Sequence, residues 1–198
     1  RGMAYANLNK LSEAQNELDS LNKLSESERV KKIMIWSLNP AEQVCKISSN
    51  VLKAELMTIQ GDYKSAIELL TQAIVLEDNL NYNEPPDWFF SVRHLLGDAL
   101  MKSGDFVGSE IIYREDLAYW PKNGFALNGL YESLLGQHKL TEAEDVKKQF
   151  EIAWKYADSD LKYSRIDSHK RRNLTLKIDE NSPNTLVYLA GAYCMKVK

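Results

Sequence analysis

The residues best suited to chemistry in this sequence are its histidines and the carboxylates near them. His94 and Asp98 are four positions apart, so a helix would place both on one face, where they could begin a metal site. His138 and His169 lie far away, and the chain has no HExxH, no GxSxG and no phosphate-cradling glycine loop. Two ligands are too few to establish a metal site. We therefore expect a non-enzymatic protein with no metal and no cofactor.

The bulk composition is that of an ordinary globular chain able to bury a sizeable core. It has 198 residues, of which 44% are hydrophobic and 27% charged, and its formal net charge is −3. With no overall basic field and no apolar run of membrane-spanning length, neither nucleic acid nor a membrane is an expected partner. The chain starts at Arg1 in the middle of a motif, which indicates a fragment, so the compartment, cytoplasmic or exported, stays open.

The elements that must position these residues show a repeating pattern of small and large side chains. In residues 91–121, small residues stand where two helices would cross closely and large ones where they would interlock, and a proline ends the second helix. The pattern consists of Leu96, Gly97, Leu100, Gly104, Phe106, Ser109, Tyr113 and Pro121. This stretch resembles a tetratricopeptide repeat. The resemblance implies paired helices that bury their apolar faces only by stacking on neighbouring pairs.

The same template fits the chain four times, which predicts an all-α protein. The resemblance implies a right-handed α-solenoid of about four helix pairs, with an extra inserted helix and a small C-terminal extension. The array is expected to occupy residues 1–158 and the extension residues 159–198. The expected repeats are about 1–28, 47–80, 90–123 and 124–157, and the insertions are about 29–46 and 78–87.

A second resemblance is carried by the insertions and by a later helix. The motifs LNPAEQ, EPPDW and YRED-L, spread over roughly residues 1–166, are similar to those of a family of bacterial tetratricopeptide proteins. That family implies a multi-repeat scaffold with no settled biochemical activity.

Two helix starts are expected in and after the first insertion. Ser25, followed three residues later by Glu28, has the spacing of a capping box for one short helix. In the NPAE motif, Asn39 is expected to cap the next helix, with Pro40 in its first turn and Glu42 reaching back.

The proline pair of the EPPDW motif belongs to an enlarged loop, because proline is excluded from helix interiors. Asp87 is expected to cap a helix that begins at Trp88. Two roles are open for this loop. Tyr82 and Trp88 could supply aromatic contacts to a ligand, with Glu84 and Asp87 adding negative charge, or the loop could fix the angle between the second and third repeats.

The resemblance also implies a concave binding groove lined by the first helix of each repeat. The positions that would face it are Ser48, Val51, Glu55 and Thr58, then Ser91, His94, Asp98 and Met101, then Phe125, Asn128, Glu132 and Leu135. Glu55, Asp98 and Glu132 form an acidic row, and the groove lacks the basic cluster with which chaperone-tail binders of the family hold a carboxylate. It should repel an acidic C-terminus and favour a cationic segment. The alternative is that these positions are acidic only for solubility.

For the tail, the last helix is expected to end near Ala157. Residues 173–179 alternate as a half-buried strand does, and residues 183–195 predict a capping helix, with a second strand as the alternative.

Taken together, the sequence predicts a non-enzymatic scaffold that binds a protein or peptide segment in its groove. Two alternatives remain open: a structural module that forms homo-oligomers, and a regulatory or metal-binding domain of a longer enzyme that uses His94 and Asp98.

Overall fold

The computed structural model describes residues 1–171, with side chains described as far as Ile166. This part is mainly helical, so the predicted all-α class is confirmed. Two short antiparallel ribbons are added to the helices. The elements are α1 (Gly2–Asn7), α2 (Leu11–Ser25), α3 (Glu28–Lys31), β1 (Met34–Ile35), β2 (Asn39–Pro40), α4 (Ala41–Gln60), α5 (Tyr63–Asp78), α6 (Val92–Ser103), α7 (Phe106–Tyr119), α8 (Gly124–Gly136), α9 (Leu140–Ala153), β3 (Ser159–Lys162) and β4 (Arg165–Arg171).

Consecutive helices pack against one another from α4 to α9, while α1 and α2 pack against each other and against α4. The apolar positions of most helices recur at helical spacing, so these helices bury one face against their neighbours, whereas α6 is buried on all sides from Val92 to Met101. One buried cluster includes Ile47, Leu70 and Leu96 of α4, α5 and α6, and another includes Leu127 and Leu134 of α8. The core is thus distributed along the helix series.

Helices pack closely around Tyr113 of α7, which is fully buried. Its ring lies between Gly97 of α6 and Gly129 of α8, where an added Cβ would stand 2.3 Å from the ring in each case. Because glycine has no Cβ, the Tyr113 ring can pass between α6 and α8 at these two positions, which a larger residue would block. The tyrosine hydroxyl therefore reaches the opposite side of the α6–α8 layer.

The two helix starts expected around the first insertion are corrected by the structure. Ser25 is the last residue of α2, and Ser27 caps α3 by accepting a hydrogen bond from the Val30 amide. Asn39 does not cap α4. It lies in β2, is almost fully buried, and uses its side chain in contacts with the EPPDW loop, which leaves Pro40 at the N-cap position of α4.

The start of α6 is also corrected. The helix begins at Val92 rather than at Trp88, and Asp87 does not cap it. The Val92 amide instead donates a hydrogen bond of 3.0 Å to the carboxylate of Glu77, near the end of α5. A carboxylate close to a helix N-terminus satisfies an amide that the helix itself leaves free. The preceding helix thus supplies the cap across the loop.

Burial raises the pKa of Glu77 to about 7, although the Val92 amide and Arg93 both lower it. Because the folded pKa exceeds the unfolded value of 4.5, the folded state holds the proton more firmly, and stability falls as the pH rises from about 4.5 through 7. We expect Glu77→Gln to raise the free energy of unfolding by about 2 kcal/mol at pH 8 and to leave it nearly unchanged at pH 4. Urea unfolding at both pH values measures this, and an equal effect at the two would contradict it.

The described chain ends differently from expectation. The last helix, α9, ends at Ala153 rather than near Ala157, and β3 and β4 then pair antiparallel. The predicted strand at 173–179 and the predicted helix or second strand at 183–195 lie outside the described residues. Among the described helices, none is long and apolar enough to cross a bilayer.

Candidate functional site

The β3–β4 hairpin is seated on the helices, with β3 against α8 and β4 against α6. Lys162 pairs with Arg165, so Tyr163 and Ser164 form a two-residue turn. Tyr163 has a φ of 54°, the left-handed conformation that such tight turns require. We call the helical residues that hold this turn the hairpin site, namely Glu55 of α4, His94 and Asp98 of α6, Tyr113 of α7 and Asn128 of α8.

Arg165 joins the hairpin to two of the predicted acidic groove residues. Its guanidinium donates to both carboxylate oxygens of Glu55, at 2.5 and 2.9 Å, and lies 3.5 Å from the carboxylate of Asp98. Asp98 also accepts a hydrogen bond of 2.8 Å from Lys102, one turn further along α6. Burial would lower the pKa of Arg165, but its hydrogen bond with Glu55 and the charges of Glu55 and Asp98 raise it overall.

These carboxylates are desolvated, since the side chain of Glu55 is 7% exposed and that of Asp98 is 3% exposed. A buried carboxylate without a cation would be strongly unfavourable, because its hydration is lost. The two carboxylates here are balanced by Arg165 and Lys102. The charge balance of the hairpin site therefore depends on the guanidinium of Arg165, which belongs to the hairpin.

Ser164 is fully buried at the centre of the site. Its hydroxyl donates to the backbone carbonyl of His94 at 2.6 Å, which leaves the Tyr113 hydroxyl to donate to Ser164 at 2.9 Å. Beside it, the amide of Asn128 donates to the backbone carbonyl of Tyr163 at 2.6 Å. Three consecutive hairpin residues are thus each held by a different part of the helical layer.

The side chains of His94 and Asp98 do not converge on a common point. The imidazole of His94 is buried and its Nε2 lies 3.0 Å from a carboxylate oxygen of Asp116, in α7. The same oxygen accepts a hydrogen bond from Asn123 at 3.1 Å. Among the side chains that the structure describes, those of residues 1–166, no group of three or more metal-binding side chains comes together.

The other predicted groove residues divide between the core and the margin of the site. Thr58 is buried, and Ser91 is the N-cap residue of α6, with no side-chain capping bond. Phe125 stacks on His94 and meets Trp154 edge-on, at centroid distances of 5.6 and 5.1 Å. Glu132 is half-buried and is engaged in an interaction of its own.

The residues predicted as loop contacts have two different environments. Tyr82 and Glu84 are exposed and hydrogen-bond to each other, whereas Trp88 packs against the core formed by α4, α5 and α6. Asp87 accepts a hydrogen bond of 2.7 Å from Asn39, and Asn39 also exchanges hydrogen bonds with the backbone of Asn81. The two insertions found in the sequence therefore meet, and Asn39 connects them.

We expect Asn39→Asp to lower the free energy of unfolding by about 2 kcal/mol, because the variant loses two amide donors and places a second carboxylate beside Asp87. Thermal unfolding at neutral pH measures the loss. Asn79→Asp is the matched control, since Asn79 is exposed and bonds only within its own helix turn. A similar loss in both variants would show that the connection between the insertions is not energetically important.

The hairpin is the part of the site that sequence reasoning missed. Its turn carries Tyr-Ser in place of the Asn-Gly or Asp-Gly pairs that indicate tight hairpins. The short run from Leu161 to Ile166 has too few apolar positions to show a clear alternation. Arg165 could have been found only by searching for a cation to match the acidic row.

No family model, curated protein or solved structure matches the chain.

Proposed function

We propose that the helix pairs form a tetratricopeptide-type right-handed solenoid whose concave face includes the hairpin site, and that the protein is a non-enzymatic scaffold that binds polypeptide segments there. The successive packing of α4 to α9 supports the solenoid, as does the close approach of Gly97, Tyr113 and Gly129. The resemblance to tetratricopeptide proteins drawn from the sequence supports the same arrangement.

One observation carries the binding proposal: a guanidinium from a non-helical segment is shared by carboxylates of two helices, Glu55 of α4 and Asp98 of α6. Bidentate pairing of arginine with a carboxylate is both strong and geometrically selective. The amide of Asn128 holds backbone at the same time. The face therefore has the groups needed to bind a turn or strand that carries a cation.

The charge of the face determines which segments suit it. A segment ending in a carboxylate would meet Glu55 and Asp98 and would be repelled, whereas an arginine would compensate them. The preferred ligand is a cationic segment, and selectivity comes from the penalty of leaving the two acids unpaired.

The test is binding of synthetic peptides to the full chain, measured by fluorescence anisotropy. Peptides that carry one arginine should bind more tightly than the same peptides with alanine in its place, and an acidic-tailed peptide should not bind. The double variant Glu55→Gln with Asp98→Asn should lose this preference. Glu144→Gln with Asp145→Asn, which makes the same charge change on the exposed side of α9, is the control and should retain it. Equal binding of arginine and alanine peptides would overturn the proposal.

A second candidate is self-association through the first ribbon. Trp36, at the turn between β1 and β2, is 72% exposed, and Met34 beside it is 51% exposed. Trp36 also has a φ of 50°, a conformation that is uncommon for a bulky side chain. Light scattering of the parent and of Trp36→Ser tests this candidate: a dimer that the substitution abolishes would favour an oligomerisation module.

A further inference from the structure

We infer that the preferred ligand of the hairpin site is a turn with the pattern aromatic–Ser–Arg, of which the turn at Tyr163, Ser164 and Arg165 is the chain's own attached copy. This inference rests on the proposed function and specifies the ligand class of the same site. It is drawn from the contacts of three consecutive residues, each of which selects a different chemical property.

The serine position selects a small hydroxyl side chain. Ser164 is fully buried and lies between the carbonyl of His94 and the hydroxyl of Tyr113. A residue without a hydroxyl would leave the Tyr113 hydroxyl unpaired away from water and would remove the bond to the His94 carbonyl, and such a mismatch discriminates strongly. A large side chain would displace the turn from the helices, because the interior is closely packed.

The Tyr113 hydroxyl can reach the ligand only because Gly97 and Gly129 leave space for its ring, which we call the glycine gap. Tyr113 belongs to α7, but its ring extends between Gly97 of α6 and Gly129 of α8 to reach Ser164. The glycine gap therefore allows the helices to pack closely and also lets α7 contribute a polar group to the site. A ligand serine meets a fixed partner there, since the ring has no room to turn aside.

The arginine position selects a planar fork of donors. Two nitrogens of Arg165 bond the two oxygens of Glu55 while one of them also faces Asp98. A lysine ammonium would satisfy the charge but could not reproduce this two-point contact, so arginine and lysine are not equivalent here.

The position before the serine favours an aromatic residue that can adopt a turn conformation. Tyr163 packs partly buried against the cluster that contains Leu127 and Leu130, while its carbonyl accepts the hydrogen bond from Asn128. The chain reverses direction here, since Lys162 pairs antiparallel with Arg165, and the φ of 54° at Tyr163 is that of a tight turn. The ligand is accordingly a turn rather than a straight extended strand.

The attached copy and an incoming turn occupy the same site, so they compete. A segment joined to the protein by a short connection has a high effective concentration, and the apparent affinity of a free ligand falls with the fraction of molecules whose site is open. Weakening the attached copy should therefore strengthen binding of a free peptide that has the same pattern.

The experiment uses the full chain and a labelled peptide with the sequence of residues 158–166, DSDLKYSRI. We expect Arg165→Ala to bind this peptide at least about tenfold more tightly than the parent does, because the competing guanidinium is gone. Arg165→Lys, which keeps the charge, should show a smaller gain. Lys162→Ala removes a charge from the exposed neighbour on the same hairpin, whose ammonium lies 5.9 Å from the centre of the Tyr163 ring, and its gain should be well below that of Arg165→Ala. Helical circular dichroism of each variant establishes that it is folded.

Changes in the peptide separate the possible outcomes. Loss of binding when the peptide serine becomes valine, or when its arginine becomes lysine, supports the inference. If every arginine-bearing peptide binds equally well, whatever its neighbours, the inference is overturned while the proposed function stands. If no peptide binds either the parent or Arg165→Ala, both are overturned. Dimers of the parent chain that Arg165→Ala dissolves would also overturn the inference, because the occupant would then be the hairpin of a second copy.

Discussion

Gly97→Ala is expected to lower the free energy of unfolding by about 3 kcal/mol, at the upper end of the cost of overpacking a core. The added Cβ would stand 2.3 Å from the Tyr113 ring, and the ring has little room to retreat because it packs so closely on Gly129 that a Cβ there would also stand 2.3 Å away. Helix propensity acts in the opposite direction, since alanine is favoured over glycine by about 1 kcal/mol, but that gain is smaller than the clash. Urea unfolding measures the difference.

A double-mutant cycle isolates the cause. Tyr113→Leu removes the outer ring atoms that the new Cβ would strike, so Gly97→Ala made in that background should be neutral or stabilising. Whether Gly97→Ala stabilises or destabilises the protein would then depend on the side chain at position 113 alone. A loss of about 3 kcal/mol in both backgrounds would mean that the constraint at Gly97 comes from something other than the Tyr113 ring.

Arg165→Ala is expected to lower the free energy of unfolding by about 3 kcal/mol, because removing one partner of a buried ion pair leaves the other charge unpaired. Glu55 and Asp98 would both be affected, and the only other cation that bonds either of them within the described residues is Lys102 on Asp98. Hydrogen exchange over residues 159–166 should quicken in the same variant, since detachment of the hairpin exposes its amides. Lys162→Ala, on the exposed side of the hairpin, should change stability by less than about 0.5 kcal/mol.

A compensating change tests whether the loss comes from the unpaired acid. Replacing Arg165 by methionine together with Glu55 by leucine removes both charges, and such apolar replacements of buried pairs are often neutral. Asp98 keeps its hydrogen bond to Lys102 in this variant. We expect most of the lost stability to return. A double variant as unstable as Arg165→Ala would show that the guanidinium acts mainly by packing, and equal stability of Arg165→Ala and Lys162→Ala would show that the hairpin is not held by this pair.

The predictions that depended on local pattern did well where the pattern is strong. Helical periodicity and the small–large alternation led to the helical class, and the proline pair was correctly assigned to a loop. Helix caps were less reliable. Asp87 and Asn39 have the right residue types for capping, yet they bond each other across 48 positions of sequence, and Glu77 of the previous helix caps α6 instead. Capping residues compete for several partners, and only the packed structure decides among them.

The acidic residues of the predicted groove illustrate the same limit. Glu55 and Asp98 could be singled out because the resemblance to tetratricopeptide repeats gives them equivalent positions in two predicted first helices. Their partner could not, because Arg165 is 110 positions from Glu55 and lies in a hairpin whose turn has no recognisable signal.

The order of residues along this chain was enough to show that its main segments are helical, because that follows from periodicity within a few turns. Contacts between distant segments were decided only by folding: the meeting of the two insertions at Asn39, the passage of Tyr113 between two glycines, and the seating of Tyr163, Ser164 and Arg165 on four helices. The physical reason is that such contacts depend on how the helices stack, and a small shift in that stacking would break them without altering any local preference.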